Sequence, residues 1–218
     1  MTLEPEIVDQ NDHLHPATGS DDRDVTNALF GRADLFRWEQ AGAVEQLVEC
    51  AQHEEHTIRS LALGCLDHID AIKIEHLMHA LADEHRDVRV RAIELAIGFA
   101  DIDLSSHLFD ADDLVVESAA WALGEREAAT QEILDSLSKV AVEHEVSICR
   151  EAAIAALGAI GDEAGLPAIL HGMTDKATVR RRAVLALSPF DSLEAHAALT
   201  AALDDRDRQV RQAAEDLI

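Results

Sequence analysis

Histidine and carboxylate side chains together make metal sites and acid–base pairs, and this chain has both in quantity: twelve His and 43 Asp or Glu against 18 Lys or Arg. The densest grouping is His53, Glu54, Glu55 and His56, with Glu84 and His85 about thirty residues on. His53, Glu55, His56, Glu84 and His85 are therefore the candidate metal ligands, since a site needs three or more that converge. A second His-Glu pair stands at His144 and Glu145. Both pairs fall between amphipathic runs rather than on them, so they read as solvated turn residues. No stoichiometric iron or zinc is expected, nor any other cofactor. Cys50, Cys65 and Cys149 lie at unrelated spacings inside helical patterns, which suits buried reduced thiols rather than a disulfide frame or zinc site. With no nucleophile elbow, phosphate loop or supported carboxylate pair, no catalytic residue is assigned.

The elements that carry these residues are helices. The chain is 48% apolar but only 3% aromatic, with no Tyr, whereas strands draw on aromatic and β-branched residues. Its strongest signal is a repeat. Arg59, Arg89, Val116, Arg150, Arg180 and Arg211 occupy the second position of similar helical runs, at intervals of 30, 27, 34, 30 and 31 residues. Before each run lies another amphipathic stretch, eroded to LSSHLFDA in the third unit. Two short helices cannot bury an apolar face alone, so the units must stack into an all-α superhelix of about six hairpins. The expected units are 41–71, 72–101, 102–128, 129–162, 163–191 and 192–218. Residues 1–23, with two Pro, six acids and no periodicity, read as a disordered acidic tail. Residues 24–40 carry Leu29, Phe30, Leu35, Phe36 and Trp38 and are expected to cap the open end of the stack.

The repeats resemble HEAT repeats of the short class found in phycobilisome lyases, most clearly in REAAIAALGAIGD from Arg150 to Asp162. The resemblance implies an α-solenoid whose turn aspartates pair with the arginine of a neighbouring second helix. Arg59, Arg89, Arg150, Arg180 and Arg211 are then a structural ladder, with Asp87, Asp113, Asp175 and Asp207 as the expected partners. Deoxyhypusine hydroxylase, a HEAT-repeat enzyme, holds two irons with His-Glu pairs on its second helices, a place where this chain has Arg150 and Glu151. The resemblance also leaves a lyase or chaperone of the phycobilisome-lyase type as the alternative function. A third enzymatic relative, the HEAT-like DNA glycosylases, needs a basic groove that this chain's acids disfavour.

The formal charge of −25 is spread over the whole chain rather than confined to one tail. Such self-repulsion fits a surface adapted to molar salt, and hence a haloarchaeal source. It disfavours nucleic acid as a partner. No stretch is apolar enough to span a membrane, and the acidic N-terminus reads as cytoplasmic. What remains is protein binding by a scaffold or adaptor, for which the family analogy offers a motility or taxis role. The helical phase turns Trp121 away from the core face of Val115, Ala119, Ala122 and Leu123. Ala155 and Leu185 hold the same register in the next two units, bordered by Arg181 and Arg182 on one side and by Glu94, Glu117 and Glu125 on another. Together they are expected to line one groove on the concave face, roughly 20 Å across. An exposed end formed by Ala213, Ala214, Leu217 and Ile218 is expected to support weak homodimerisation.

Overall fold

A computed structural model describes residues 31–126 and 130–218, so the expected acidic tail, 1–23, and residues 24–30 of the expected cap lie outside the described residues. Among the described residues there are twelve α-helices and no strand. Helix α1 (Arg32–Ala41) precedes α2 (Val44–Cys50) and α3 (His56–His68), which form the first hairpin. The second is α4 (Ile74–Leu81) with α5 (Arg86–Ala96). In the third, a 3-10 turn at Ser105–Phe109 stands in for the first helix and is followed by α6 (Asp113–Gly124). Then come α7 (Gln131–Glu143) with α8 (Ser147–Ile160), α9 (Leu166–Gly172) with α10 (Ala177–Ala186), and α11 (Leu193–Ala202) with α12 (Arg208–Glu215).

Local chemistry sets these boundaries. Asp112, Thr130, Ser192 and Asp207 each accept a backbone N–H of the first turn of the helix they open. Gly42 and Gly161 close α1 and α8 in the left-handed region, at φ 63° and 68°, where a side chain would be strained. In the eroded unit, Asp103 accepts from the Ser105 amide and hydroxyl, and this tight turn feeds Ile102, Leu104 and Leu108 into the core.

Each second helix packs on the next, α3 on α5, α5 on α6, α6 on α8, α8 on α10 and α10 on α12, and these contacts exceed those between first helices. The second helices are therefore the inner, concave layer. One apolar core runs between the layers from Leu63 to Ala214, filled by fully buried Leu77, Ile93, Leu123, Leu137, Ile154 and Leu157. A smaller core joins Leu35 of α1 to Leu47, Cys50, Ile58, Ala62 and Leu66 of α2 and α3. Within α1, Phe36 points outward, 61% exposed, so the aromatic content of this segment is only partly used in packing.

Two close approaches draw the inner layer tight. A Cβ on Gly124 would lie 2.9 Å from the Ala156 backbone, and one on Gly158 would lie 2.6 Å from Ala186. Each glycine stands eight residues after its unit's ladder position, and each alanine six after that of the next unit. Small residues at these two positions let the backbones of α6, α8 and α10 meet.

The chain's end differs from expectation. Ala213 and Ala214 are buried and Leu217 packs against the core, so of the four residues expected to form an apolar terminal face only Ile218 is largely exposed. The side chains of α12 turn inward against α10.

Candidate functional site

The ladder arginines act as inter-repeat clasps. Arg59 donates through Nε and Nη2 to both oxygens of Asp83, each at 2.7 Å, while Nη1 reaches the carbonyls of His53 and Glu54 at 2.8 Å. Arg89 holds Asp110 in the same way, Arg150 holds Asp175 and Arg180 holds Asp205. Arg211 keeps the carbonyl contact, to Asp205 at 2.6 Å. These forked pairs satisfy most of each buried guanidinium, so they belong to the scaffold. Burial alone would raise the carboxyls of Asp83 and Asp110, but hydrogen bonds from the guanidinium and from a turn amide outweigh it and hold both below their ordinary range. For Asp175 and Asp205 the guanidinium hydrogen bond is itself the largest influence, again downward.

Of the expected partners only Asp175 is confirmed. Asp87, Asp113 and Asp207 sit too late in their turns. Asp207 caps α12 instead, and the clasps take Asp83, Asp110 and Asp205, each six residues before the ladder position of its own unit, Arg89, Val116 and Arg211. At that place a carboxylate can accept the amide two residues on while facing the previous helix.

The third unit breaks the pattern. Val116, fully buried, replaces its arginine, and His144 occupies the place six before Arg150 where the next unit would hold aspartate. His144 still caps its turn, its Nδ1 accepting from the Val146 amide at 3.2 Å. His53 plays this part in the first unit, its Nδ1 accepting from the Glu55 amide at 3.0 Å. Sequence reading also missed Arg126, whose guanidinium donates to the carbonyls of Ala96, Phe99 and Ile102 just after α5. Burial lowers its pKa, against a partial upward pull from Asp103.

At this unclasped junction the inner surface opens into a hollow of about 400 Å³ over α8. Ala152, Ala155, Ala156 and Ala159 make its floor, Trp121 and Ile148 its apolar edges, and Glu117, Glu125, Glu151 and Arg182 its charged rim. Trp121 is 48% exposed and points away from the core, as its helical phase requires. Ile148, 44% exposed, was not singled out from sequence, although it lies two residues before the ladder arginine on the same inner surface. Leu185 and Arg181 do not share this hollow. They line two smaller ones toward α12, which Arg182 adjoins, so the single broad groove expected between Trp121 and Leu185 is divided. Glu94 lies outside all three and pairs with Arg91 at 3.2 Å.

The cysteines are not poised as nucleophiles. All three cysteines are free, and burial, reinforced by nearby carboxylates, pushes each thiol up to about 11. Two groups of potential ligands do converge, each with its ligand atoms within 4.8 Å of one another: His56 with His85 and Asp87, and Asp113 with His144 and Cys149. The first keeps His56 and His85 from the expected set but not His53, which turns to its own backbone, nor Glu55 and Glu84; Asp87 takes the third place.

Residues 103–188 match the family model for HEAT repeats and residues 179–205 that for the PBS lyase HEAT-like repeat. Within 103–205 the chain thus carries segments similar to HEAT repeats, one of them to the PBS lyase HEAT-like repeat. No curated protein matches significantly. An engineered protein superposes with a TM-score of 0.57 at 21% identity, covering 79% of this chain and 95% of its own. A designed armadillo repeat protein gives 0.55 at 17%, covering 78% and 96%. Another, in complex with peptide (KR)4, gives 0.51 at 17%, covering 90% and 97%. These likenesses establish the α-solenoid fold.

Proposed function

We propose that the chain is a non-catalytic scaffold or adaptor that binds another protein at the hollow over α8. The observation that carries this is the half-exposed Trp121, held with Ile148 above an alanine floor within a rim of carboxylates. A flat floor of small residues admits a partner backbone or helix closely, and an aromatic anchor beside it is the usual source of binding energy. Glu117, Glu125 and Glu151, with the −25 net charge, favour a partner segment that is basic around its apolar face. The (KR)4 complex of a designed armadillo protein supports such a use of this fold. An adaptor in motility or taxis of a salt-adapted cell is the finer form of the reading, supported by the acidic surface and the repeat class.

Two quantities measured on one variant test it. Trp121→Ala should weaken capture of the native partner by about 2 kcal/mol or more, as at a typical hot spot. It should leave the melting temperature nearly unchanged, because an outward side chain leaves no core cavity. A lowered melting temperature with binding merely proportional to the folded fraction would make Trp121 packing filler and remove the site.

A further inference from the structure

We propose that His56, His85 and Asp87 form a binding site for a divalent transition metal of the zinc class, joining the first repeat to the second. The rings of His56 and His85 are stacked, with centroids 3.4 Å apart and planes within 11°. Asp87 Oδ2 faces both, 3.9 Å from Nδ1 of His56 and 3.8 Å from Nδ1 of His85. Nδ1 of His56 is buried and has no hydrogen-bond partner among the described residues, a condition that calls for a ligand. On His85, Nδ1 accepts a long 3.3 Å hydrogen bond from the Asp87 amide, so its lone pair is engaged and an ion must displace that bond. The same nitrogen faces the Asp87 carboxylate at 3.8 Å, where the weak cap can be exchanged for a metal bond.

The second convergent group lacks this feature. There Nδ1 of His144 takes the Val146 amide, and the nitrogen toward Asp113, at 3.8 Å, is the protonated Nε2. Its ring, unlike that of His85, would have to change tautomer as well as give up its cap to bind an ion.

Tetrahedral zinc places its ligand atoms roughly 3.4 Å apart. Bringing the Asp87 oxygen to each ring nitrogen therefore needs shifts of about half an ångström, and because the in-plane lone pairs of two stacked rings run parallel, the rings must also tilt out of their stack to share one ion. The hollow beside them, about 630 Å³, is open to solvent and also lined by Glu84 and Asp112. Glu84, with its side chain 89% exposed, is free to swing in as a fourth ligand, or water can serve. Two helix starts and Arg86, 3.5 Å from Asp87 Oδ1, oppose a cation here. Arg86 also donates to Asp112 Oδ2 at 3.3 Å, which leaves the inner oxygen of Asp87 to the histidines.

Zinc(II) titrated calorimetrically into chelator-treated protein tests the assignment. One saturable site per chain is expected, with a rise in melting temperature. His56→Ala and His85→Asn should each weaken binding by roughly tenfold or more and abolish that rise. Asn at position 85 keeps an acceptor for the Asp87 amide, so the metal-free fold and its melt should be retained. His144→Ala should bind as wild type does. Absence of saturable binding, or binding that survives both His56→Ala and His85→Asn, would overturn the proposal.

Discussion

The junction between the third and fourth repeats is built differently from its neighbours. On either side, arginine and aspartate clasp successive turns through forked hydrogen bonds, and the guanidiniums of Arg59, Arg150 and Arg180 are buried. Between units three and four the arginine is Val116 and the aspartate is His144. The inner helices still meet directly there, since a Cβ on Gly124 would strike Ala156, as one on Gly158 would strike Ala186 at the clasped junction that follows. The comparison teaches a coupling rule. A turn aspartate is tolerated in this buried place only when the preceding helix supplies its cation, since a buried carboxylate without one is strongly destabilising. Where no arginine precedes, in the first and fourth units, the turn keeps its cap with a neutral histidine instead. Freed of the clasp, the third junction is also where the inner surface carries Trp121 and the hollow over α8.

Breaking a clasp should have the largest effect. Arg150→Ala leaves the part-buried Asp175 without its guanidinium and should cost about 3 kcal/mol in urea unfolding. Val116→Ala, which removes only apolar packing, should cost about 2 kcal/mol. Next come the close approaches. Gly158→Ala should cost about 2 to 3 kcal/mol, because the new Cβ meets the backbone of Ala186. Gly98→Ala, with nothing within 4 Å, should be neutral or stabilising by about 0.5 kcal/mol.

Acid should then separate clasped from unclasped contributions. The carboxyls of Asp83, Asp110, Asp175 and Asp205 are depressed in the folded state. Their stabilisation is therefore complete above the unfolded carboxylate pKa of about 3.9, and is lost as pH falls through the lower folded values. Wild-type stability should decline over that window, and Arg150→Ala should decline less. Salt should have the smallest effect on the comparison itself. Screening should raise the overall melting temperature of so acidic a chain, while the loss caused by Arg150→Ala changes by less than about 0.5 kcal/mol between dilute and molar salt, because the pair is shielded from solvent.

The helical stack was legible from the interval between arginines, since a side chain that must reach the next repeat recurs once per repeat. Trp121 was legible from its helical phase alone. The clasp partners were not, because each turn offers several acids within a few residues, as in Asp110, Asp112 and Asp113, and only the turn's backbone path selects among them. Arg126 was invisible for a related reason: it binds backbone carbonyls, which leave no mark in sequence. Leu185 shares the register of Trp121 but faces a separate hollow, with Glu151 and Arg182, which line both, standing between the two. His56 and His85 were legible as ligands on turns that could converge, but Asp87 was not, because only the turn's backbone path brings its carboxylate toward both rings.

A double-mutant cycle on Val116→Arg and His144→Asp tests the coupling rule most directly. Each single change should destabilise the protein, the first by burying an unpaired cation and the second by burying an unpaired carboxylate. The double variant should recover about 3 kcal/mol of the summed loss, as a fifth clasp forms. Losses that simply add would contradict the rule and leave His144 with no relation to the valine that precedes it.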